Sequence, residues 1–307
     1  MPNIGYLGAG YDHIHGNPHS SDHFDPGYRQ SIFDLTKYCG DVTSDNRYLI
    51  PQNSISFGTT QPCSLAFETT FVESLNDYSN GLMNHFHFDI DAESKVKTNT
   101  SFSASNEYKR KARLINSQAQ SIGETFAQCS VYSISLEKIN RPELTQSFKK
   151  AVGLLPSGLD DLIKTYGTFF IKEMVMGARY GQQVILPKAV SDSFFQSQRK
   201  VAFKIMALLS ISNDDLEVGF DNLTDEEKVV VEIISKFSSE IAIISIGLRP
   251  TSRNASEWAN YVIENPMPIE ITLEPIFQLL TPQNFPDDDE IEWKQQIFRD
   301  KLEEMSK

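Results

Sequence analysis

The 307-residue chain lacks a long apolar run and has fewer basic than acidic residues. No stretch of 18 or more apolar residues occurs, so the sequence predicts no transmembrane helix. The 28 Lys and Arg residues stand against 41 Asp and Glu residues, which gives a net charge of −13. Because binding to phosphates requires a basic face, we expect no nucleic-acid partner.

Cysteine is also scarce, with Cys39, Cys63 and Cys129 as the three cysteines of the chain. They lack the spacing of metal ligands, and their odd number allows at most one internal disulfide with one thiol left over. The sequence does not select the pair. Residues 1–6 have no charged segment followed by an apolar run, so no signal peptide is visible at the start.

The pattern of turns and apolar residues predicts a mixed α and β protein. Glycine, proline and aspartate divide residues 1–30 into short strands and turns. Alternation of apolar and polar residues predicts further strands, and apolar spacing of three to four predicts helices. The strands are expected over residues 84–96, 126–136, 169–186, 241–248 and 269–273, and the helices over residues 141–165, near 258–263 and in the acidic tail from Asp287.

Two stretches, residues 97–128 and 188–240, have no clear period. In the second, apolar residues alternate from Val201 to Ile211 as in a half-buried strand. Val201, Ile205, Leu208 and Leu209 also fit a helical stripe, so periodicity alone does not decide between strand and helix.

The densest group of possible metal ligands is His13-x-His15 with nearby aspartates. Residues that are two positions apart on a strand lie on the same face, so His13 and His15 could bind one metal ion. A metal-dependent enzyme is therefore one interpretation. Solvated loop residues are the other reading. No serine elbow, phosphate loop or zinc-binding helix motif occurs. We therefore assign no catalytic residue, metal or cofactor.

The segment Tyr166-Gly167-Thr168-Phe169-Phe170, followed after six residues by Gly177-Ala178, resembles the signature of the membrane attack complex/perforin (MACPF) family. That signature is aromatic-Gly-Thr/Ser-His-aromatic, six residues, then Gly-Gly. Here Phe169 replaces the histidine and Ala178 the second glycine. The opening residues 6–12 and 25–29 look like those of perforin-like proteins of apicomplexan parasites, and residues 246–250 match the closing strand of the family.

The resemblance implies an α+β fold with a bent four-stranded antiparallel sheet flanked by two helical clusters. It implies that residues 1–282 form the MACPF domain and that residues 283–307 are an acidic helical tail or linker. The clusters are expected at about 97–128 and 188–240, the two stretches without a clear period. Gly177 and Gly247 are expected as hinges at the bend of the sheet, since glycine permits backbone angles closed to other residues.

The resemblance also implies a function that needs neither catalysis nor a cofactor. Proteins of this type are secreted or stored in secretory organelles, assemble with copies of themselves into rings on a lipid membrane, and convert both clusters into transmembrane β-hairpins. Membrane contact is expected through a recognition domain outside this chain. The residues expected to insert are Phe102 and Leu114 in the first cluster and Val201, Phe203, Ile205, Leu209 and Ile211 in the second.

The first cluster fits an inserted strand poorly. Polar residues including Asn106 and Arg110 interrupt the apolar face that Phe102 and Leu114 share. A charge in the middle of the bilayer costs about 2 to 4 kcal/mol in such barrels. A non-lytic MACPF protein, which assembles or adheres without forming a pore, is therefore the alternative function.

Overall fold

The computed structural model of the chain describes residues 1–19, 25–58, 63–90, 100–194, 196–211, 224–252 and 254–305, with the backbone alone for Leu209 and Glu227. The strands are β1 (Ala9–Tyr11), β2 (Tyr28–Ser31), β3 (Tyr38–Val42), β4 (Leu49–Pro51), β5 (Ser54–Gly58), β6 (Glu68–Val72), β7 (Phe86–Phe88), β8 (Gln120–Leu136), β9 (Phe169–Pro187), β10 (Glu240–Ile246) and β11 (Met267–Pro275). The helices are α1 (Leu75–Met83), α2 (Asn106–Ser117), α3 (Gln146–Gly153), α4 (Leu159–Tyr166), α5 (Lys188–Asp192), α6 (Gln196–Leu209), α7 (Asp225–Phe237), α8 (Ala255–Glu264) and α9 (Ile291–Met305).

A large antiparallel sheet organises the molecule, as expected for the fold class. The long strands β8 and β9 pair with each other from Gln120 and Pro187 to Ser135 and Glu173. On the outer side of β8 lie β5 and β6, each covering part of its length. On the outer side of β9, β10 covers one half and β11 the other. β7 extends the sheet beyond β11 as a parallel strand.

Two helical clusters connect neighbouring strands of this sheet. The first, with α1 and α2, lies between β6 and β8, and the second, with α5, α6 and α7, lies between β9 and β10. Local sequence explains where the first cluster becomes helical. Ser74 and Asp77 form a reciprocal capping box before α1, and the Ser105 hydroxyl accepts a hydrogen bond from the Tyr108 amide at the start of α2.

The two clusters cover opposite faces of the sheet. On β9, the Gln183 side chain contacts Lys111 of α2, whereas the next residue, Val184, packs with Phe203 of α6. Successive side chains of a strand point to opposite faces, so these contacts place α2 and α6 on either side. Because both faces are covered, β8 and β9 are buried along most of their length.

The structure corrects the prediction for residues 97–128. The helix covers only Asn106–Ser117, and β8 already begins at Gln120, whereas the sequence analysis began that strand at Phe126. Residues such as Glu124 are polar because they face the polar side of α2. Alternation of apolar residues cannot reveal a strand of this kind, since the signal depends on an apolar core.

The stretch from Val201 to Leu209 lies in helix α6, and Ile211 follows it. The buried side chains are those of Ala202, Phe203, Met206 and Ala207. Their spacing is helical, and α6 stacks them on the sheet. The strand expected over 84–96 is limited to Phe86–Phe88, and residues 91–99 lie outside the described residues.

The acidic tail contains the expected helix, α9, which packs on the rest of the protein. Its residues Phe298 and Leu302 are fully buried in the main hydrophobic core, together with Phe277. Elsewhere a disulfide joins Cys63 to Cys129, and Cys39 is a free thiol on exposed β3. Within the described ranges, no helix combines the length and apolar character needed to cross a membrane.

Candidate functional site at the bend of the sheet

An irregular register marks one position along the two central strands. Ser130 of β8 faces Gly177 of β9, but Tyr132 faces Met176, so Val131 is an extra residue on β8. Such a bulge bends the strand that contains it. A Cβ atom on Gly177 would lie 1.9 Å from the carbonyl oxygen of Cys129, so the close approach of the two backbones requires glycine here.

The second predicted hinge residue lies next to the first. Gly247 directly follows β10 and has φ +74°, a left-handed conformation that side chains disfavour. A Cβ atom on Gly247 would lie 3.2 Å from the carbonyl oxygen of Gly177 and 3.3 Å from the Ala178 Cβ. The structure thus brings Gly177 and Gly247 together at the bulge, and their action as hinges stays a prediction.

Helix α8 covers this position with its buried face. Trp258 is 1% exposed, and its indole Nε1 donates a hydrogen bond of 2.7 Å to the carbonyl oxygen of Leu248. It belongs to a small hydrophobic cluster with Cys129 and Ala178 from the bend and Ala207 from α6. The sequence analysis placed Trp258 only in a predicted short helix. A lone tryptophan after a strand is the signal that could have indicated it.

The signature residues lie at the other end of β9, where several segments meet. Tyr166 ends α4, and its ring packs on Phe148 with centroids 5.1 Å apart. Gly167 bridges to Tyr11 of β1, and Thr168 donates its amide hydrogen to the same Tyr11 carbonyl. Thr168 also accepts a backbone hydrogen bond from Ile276. The signature therefore joins α4, β1, β9 and the turn after β11.

Phe169 and Phe170 complete the signature inside the core. Both are fully buried, and Phe170 packs against Phe33. Phe169, which stands where the family has histidine, packs edge-on against the ring of His13 with centroids 4.8 Å apart. His13 Nδ1 is also 3.2 Å from the Thr168 hydroxyl. Sequence reasoning did not link His13 to the signature, because 155 positions separate it from Thr168.

The structure separates His13 and His15, the predicted alternative metal ligands. His13 is fully buried, and this burial lowers its pKa from 6.5 to about 4. His15 is exposed and contacts the Asp12 carboxylate at 2.8 Å. Across the described parts of the chain, no three His, Cys, Asp or Glu side chains are grouped so that they could hold a metal ion.

The first helical cluster contacts the sheet largely through polar groups. Lys111 of α2 is fully buried and donates to Gln183 Oε1 at 2.7 Å, and Gln183 in turn donates to Glu124 on β8. Burial alone would raise the pKa of Glu124, but nearby His19 and Lys111 and the hydrogen bond from Gln183 hold that pKa below its usual value. Arg110 reaches further, to Glu240.

A second buried polar group lies beside the bend. Arg179 of β9 is 1% exposed and donates to His85 Nδ1 at 2.6 Å and to the Ile269 carbonyl at 2.8 Å. Burial lowers the pKa of Arg179 to about 10. Burial, the Arg179 charge and His19 together hold the pKa of His85 well below its usual value, so His85 is neutral at pH 7.

The second cluster contacts the sheet through apolar groups. Phe203 of α6 is 1% exposed and lies over Gly123 of β8, where a Cβ atom would be 1.9 Å from its ring. Val184 and Leu186 of β9 pack in the same cluster with Val231 of α7. The first cluster is therefore held by hydrogen bonds and charges, and the second mainly by hydrophobic contacts.

The residues expected to insert into a membrane have different environments. Phe102 is fully buried and packs on Phe86, and Leu114 is partly buried against the main core. In the second cluster Phe203 is buried, Val201 is 37% exposed, and Ile205 and Ile211 are partly buried. The Leu209 side chain lies outside the described part of the structure.

The fold and site define a protein whose bent antiparallel sheet has a helical cluster inserted into each of two strand pairs. The chain belongs to the MAC/Perforin domain family, whose family model matches residues 1–306. The family prediction is therefore confirmed. The rat complement component C8 beta chain is 26% identical over 146 residues, which cover 41% of this chain and 25% of that protein.

Solved structures show the same fold. GNIP1Aa from Chromobacterium piscinae is similar over 100% of this chain and 57% of its own, with 17% identity and a TM-score of 0.64. A putative cell invasion protein with a MAC/Perforin domain from Bacteroides thetaiotaomicron covers 97% of this chain and 60% of its own, with 12% identity and a TM-score of 0.53. Astrotactin-2, a vertebrate perforin-like membrane protein, covers 97% of this chain and 44% of its own, with 14% identity and a TM-score of 0.50. The chain thus spans less than two thirds of these proteins.

Proposed function

We propose that this protein forms pores: copies assemble on a target membrane and convert both helical clusters into transmembrane β-hairpins. The observation that carries the proposal is the position of the clusters in the sheet. The first connects β6 and β8, which are paired through Val72 and Ile122, and the second connects β9 and β10, which are paired through Ile185 and Glu240. Extending either cluster would lengthen an existing hairpin, and the first cluster would also have to release β7 from β11.

The clusters are long enough for this role. Residues 73–119 and 188–239 lie between the paired strands. Divided into two arms, each cluster supplies about 23 to 26 residues per arm, whereas a membrane-spanning strand needs about 9 to 11. The surplus would connect the sheet to the membrane. Only a closed barrel shared by many copies pairs all backbone groups in lipid, so the proposal requires a homo-oligomer.

The edges of the sheet support assembly between copies. Among the described strands, β10 pairs on one side only, with β9, and β5 and β6 pair on one side only, with β8. Exposed apolar side chains lie on these edges, namely Ile241 and Ile243 on β10 and Ile55 and Phe57 on β5. An unpaired edge with such side chains is a template for another strand.

The remaining features of the proposal follow from this mechanism. Gly177 and Gly247 would act as hinges when the sheet opens, and α8 with Trp258 would have to leave the bend. We expect secretion before action at a lipid membrane, contact with that membrane through a further recognition domain, and no catalytic step. The likeness of the opening residues to apicomplexan perforin-like proteins remains a sequence-based prediction.

One observation favours a non-lytic assembly or adhesion protein as the second candidate. Helix α2 carries Lys109, Arg110, Lys111 and Arg113, and Lys111 is already buried against polar groups of the sheet. On the lipid-facing side of a barrel, a basic residue at the bilayer midplane costs about 2 to 4 kcal/mol. Only the lumenal face could therefore accommodate these side chains without that cost. Assembly without insertion would leave α2 in place.

Dye release from vesicles with the protein tethered to their surface tests the proposal, because tethering replaces the recognition step. Pore formation predicts release that rises steeply with surface density, since assembly must precede insertion. The second cluster can be fixed to the sheet by a short bis-maleimide between Gln182→Cys and Ser210→Cys, whose native side chains are 3.3 Å apart. This cross-link should reduce release at least tenfold.

Both the cross-linked variant and its matched control carry Cys39→Ser, so that the exposed Cys39 thiol cannot react. The control has Ser210→Cys alone, with the same reagent attached at one end. This control should release dye like the unmodified protein. Tethered, folded protein that assembles but releases no dye would contradict pore formation and favour the non-lytic function. Equal release with and without the cross-link would show that α6 does not need to leave the sheet.

A further inference from the structure

The segment that pairs with the outer side of β8 consists of β5 followed by β6, and we call it the edge chain. Its register relative to β8 changes at the bend. Gly58 of β5 faces Tyr132, and Glu68 of β6 faces Phe126. Between these two pairs the edge chain advances ten positions while β8 advances six. The edge chain therefore contains four residues more than the stretch of β8 that it accompanies.

The disulfide lies at the midpoint of this register change. From Gly58 to Cys63 the edge chain advances five positions, while β8 advances three between Cys129 and Tyr132. From Cys63 to Glu68 the numbers are again five and three. The bond between Cys63 and Cys129 thus divides the excess into two residues on each side.

Hydrophobic patterning does not protect this edge against slipping. A shift by two or four residues keeps every side chain on its own face, since the period of a strand is two. Ile55 and Phe57 would stay exposed, and β5 would break only one ladder, because it pairs on one side only among the described strands. Without the disulfide, the four extra residues between β5 and β6 would allow either strand to shift by four; with the disulfide, the shift is two at most.

The bend is the place where a shift would start most easily. Cys129 faces Ala178, next to the Ser130–Gly177 pair where the ladder between β8 and β9 is already irregular. Ser64 donates a backbone hydrogen bond to the Gln128 carbonyl at 3.3 Å, so the segment after Cys63 follows β8 closely. A covalent bond at this point leaves each half only two spare residues, so neither β5 nor β6 can take up all four.

We propose that the Cys63–Cys129 disulfide is a register pin that keeps β5 and β6 in their two separate registers on β8 across the bend. Its role in the membrane rests on the proposed pore formation, in which β6 and β8 are the stems of the first hairpin. A slip of four residues displaces one arm by about 13 to 14 Å relative to the other. Misaligned arms cannot close a continuous barrel with their neighbours.

Cross-linking in solution tests the pin without any membrane. In a Cys39→Ser background, Phe57→Cys with Ser133→Cys reports the native register, because these positions face each other. Phe57→Cys with Glu137→Cys reports a shift by four residues, because Glu137 lies opposite Asn53 in the native register. Each pair is prepared with the native disulfide and with Cys63→Ala/Cys129→Ala, and copper phenanthroline oxidation is followed by peptide mass spectrometry.

The native pair should cross-link in both backgrounds, which also shows that the protein without the disulfide is folded. The shifted pair should cross-link at least tenfold faster when the disulfide is removed. Equal rates for the shifted pair with and without the disulfide would overturn the pin. Mass spectrometry of the Cys63 and Cys129 peptides confirms that the native bond persists in the pinned protein.

A variant with a displaced pin links the register to pore formation. Cys63→Ala/Leu65→Cys would bind Cys129 two positions further along the edge, in the register of β6, and shift the whole excess to the β5 side. On tethered vesicles, both this variant and the protein without the disulfide should release dye at least threefold more slowly per assembled copy. If the native protein releases none, pore formation fails while the cross-linking result still decides the pin. Native release from both variants would overturn the role of the pin in the membrane.

Discussion

Arg110 of the first cluster forms a two-pronged ion pair with Glu240, the first residue of the strand that follows the second cluster. The Nη1 to Oε2 distance is 2.6 Å and the Nη2 to Oε1 distance is 3.1 Å. Glu107, one turn earlier on α2, also accepts a hydrogen bond from Arg110. The ion pair attaches α2 to the edge strand β10. If the clusters convert as proposed, it would couple the release of the first cluster to that of the second.

This coupling can be measured by a double-mutant cycle with Arg110→Ala and Glu240→Ala. Both side chains are more than one third exposed, so solvent screens their attraction, and the coupling should be about 0.5 to 1 kcal/mol in urea unfolding at low salt. The coupling should shrink at high salt. Arg113→Ala on the same helix is the control, and a coupling of zero at low salt would contradict the link.

Acid should destabilise the fold through His13. Because burial lowers the folded-state pKa of His13 to about 4, the unfolded chain takes up a proton first as the pH falls below about 6.5. The contribution to stability is complete above pH 6.5 and is lost on acidification, by about 2 kcal/mol between pH 7 and pH 5. Asp12 opposes this effect and His15 adds to it.

Urea unfolding at pH 7, 6 and 5 measures this loss. His13→Phe retains a ring next to Phe169 but cannot titrate, so its free energy of unfolding should fall less steeply with acidity. His15→Gln, at an exposed position, is the control and should leave most of the native slope. An identical slope in the His13 variant would assign the acid sensitivity to other groups.

Replacement of Gly247 should strain the bend. In Gly247→Ala a side chain would have to adopt φ +74° with its Cβ 3.2 Å from the Gly177 carbonyl oxygen. We expect a loss of about 1 to 2 kcal/mol in thermal or urea unfolding. Gly153→Ala is the matched control, because a Cβ atom at this helix end meets nothing within 4 Å. Equal stability of the two variants would contradict a strained site at Gly247.

Single-cysteine scanning with an environment-sensitive dye should detect insertion of the second cluster. If residues 201–211 become a membrane strand, dyes at Val201, Phe203 and Ile205 should move into an apolar environment, and dyes at Ala202 and Lys204 should not. Before insertion the pattern should be helical, with Ala202 and Phe203 buried together. A helical pattern that persists on lytic vesicles would exclude this segment from the barrel.

Parts of the fold were predictable because their information is local. The long strand β9 is a run rich in strand-forming residues with glycines at Gly177 and Gly181, and helices α3 and α4 follow from apolar spacing. The signature at Tyr166 to Phe170 identified the family. These features depend on neighbouring residues, so one sequence is sufficient to recognise them.

Other parts depended on contacts between distant residues. The start of β8 was missed because Glu124 is buried by partners on other elements, His19, Gln183 and Lys111. The structure alone paired Cys63 with Cys129 and placed His13 beside Phe169. No periodicity encodes such long-range pairs.

The sequence by itself determined the family, the absence of a long apolar helix, and the double periodicity of residues 201–211, because composition and local spacing are properties of the chain alone. The tertiary structure decided that this segment is a helix, since Phe203 can stack on Gly123 only when α6 lies across the sheet. It also decided that the two clusters cover opposite faces and that Gly247 meets Gly177. These outcomes depend on how remote surfaces fit together, and packing and polar pairing settle that only once the chain is folded.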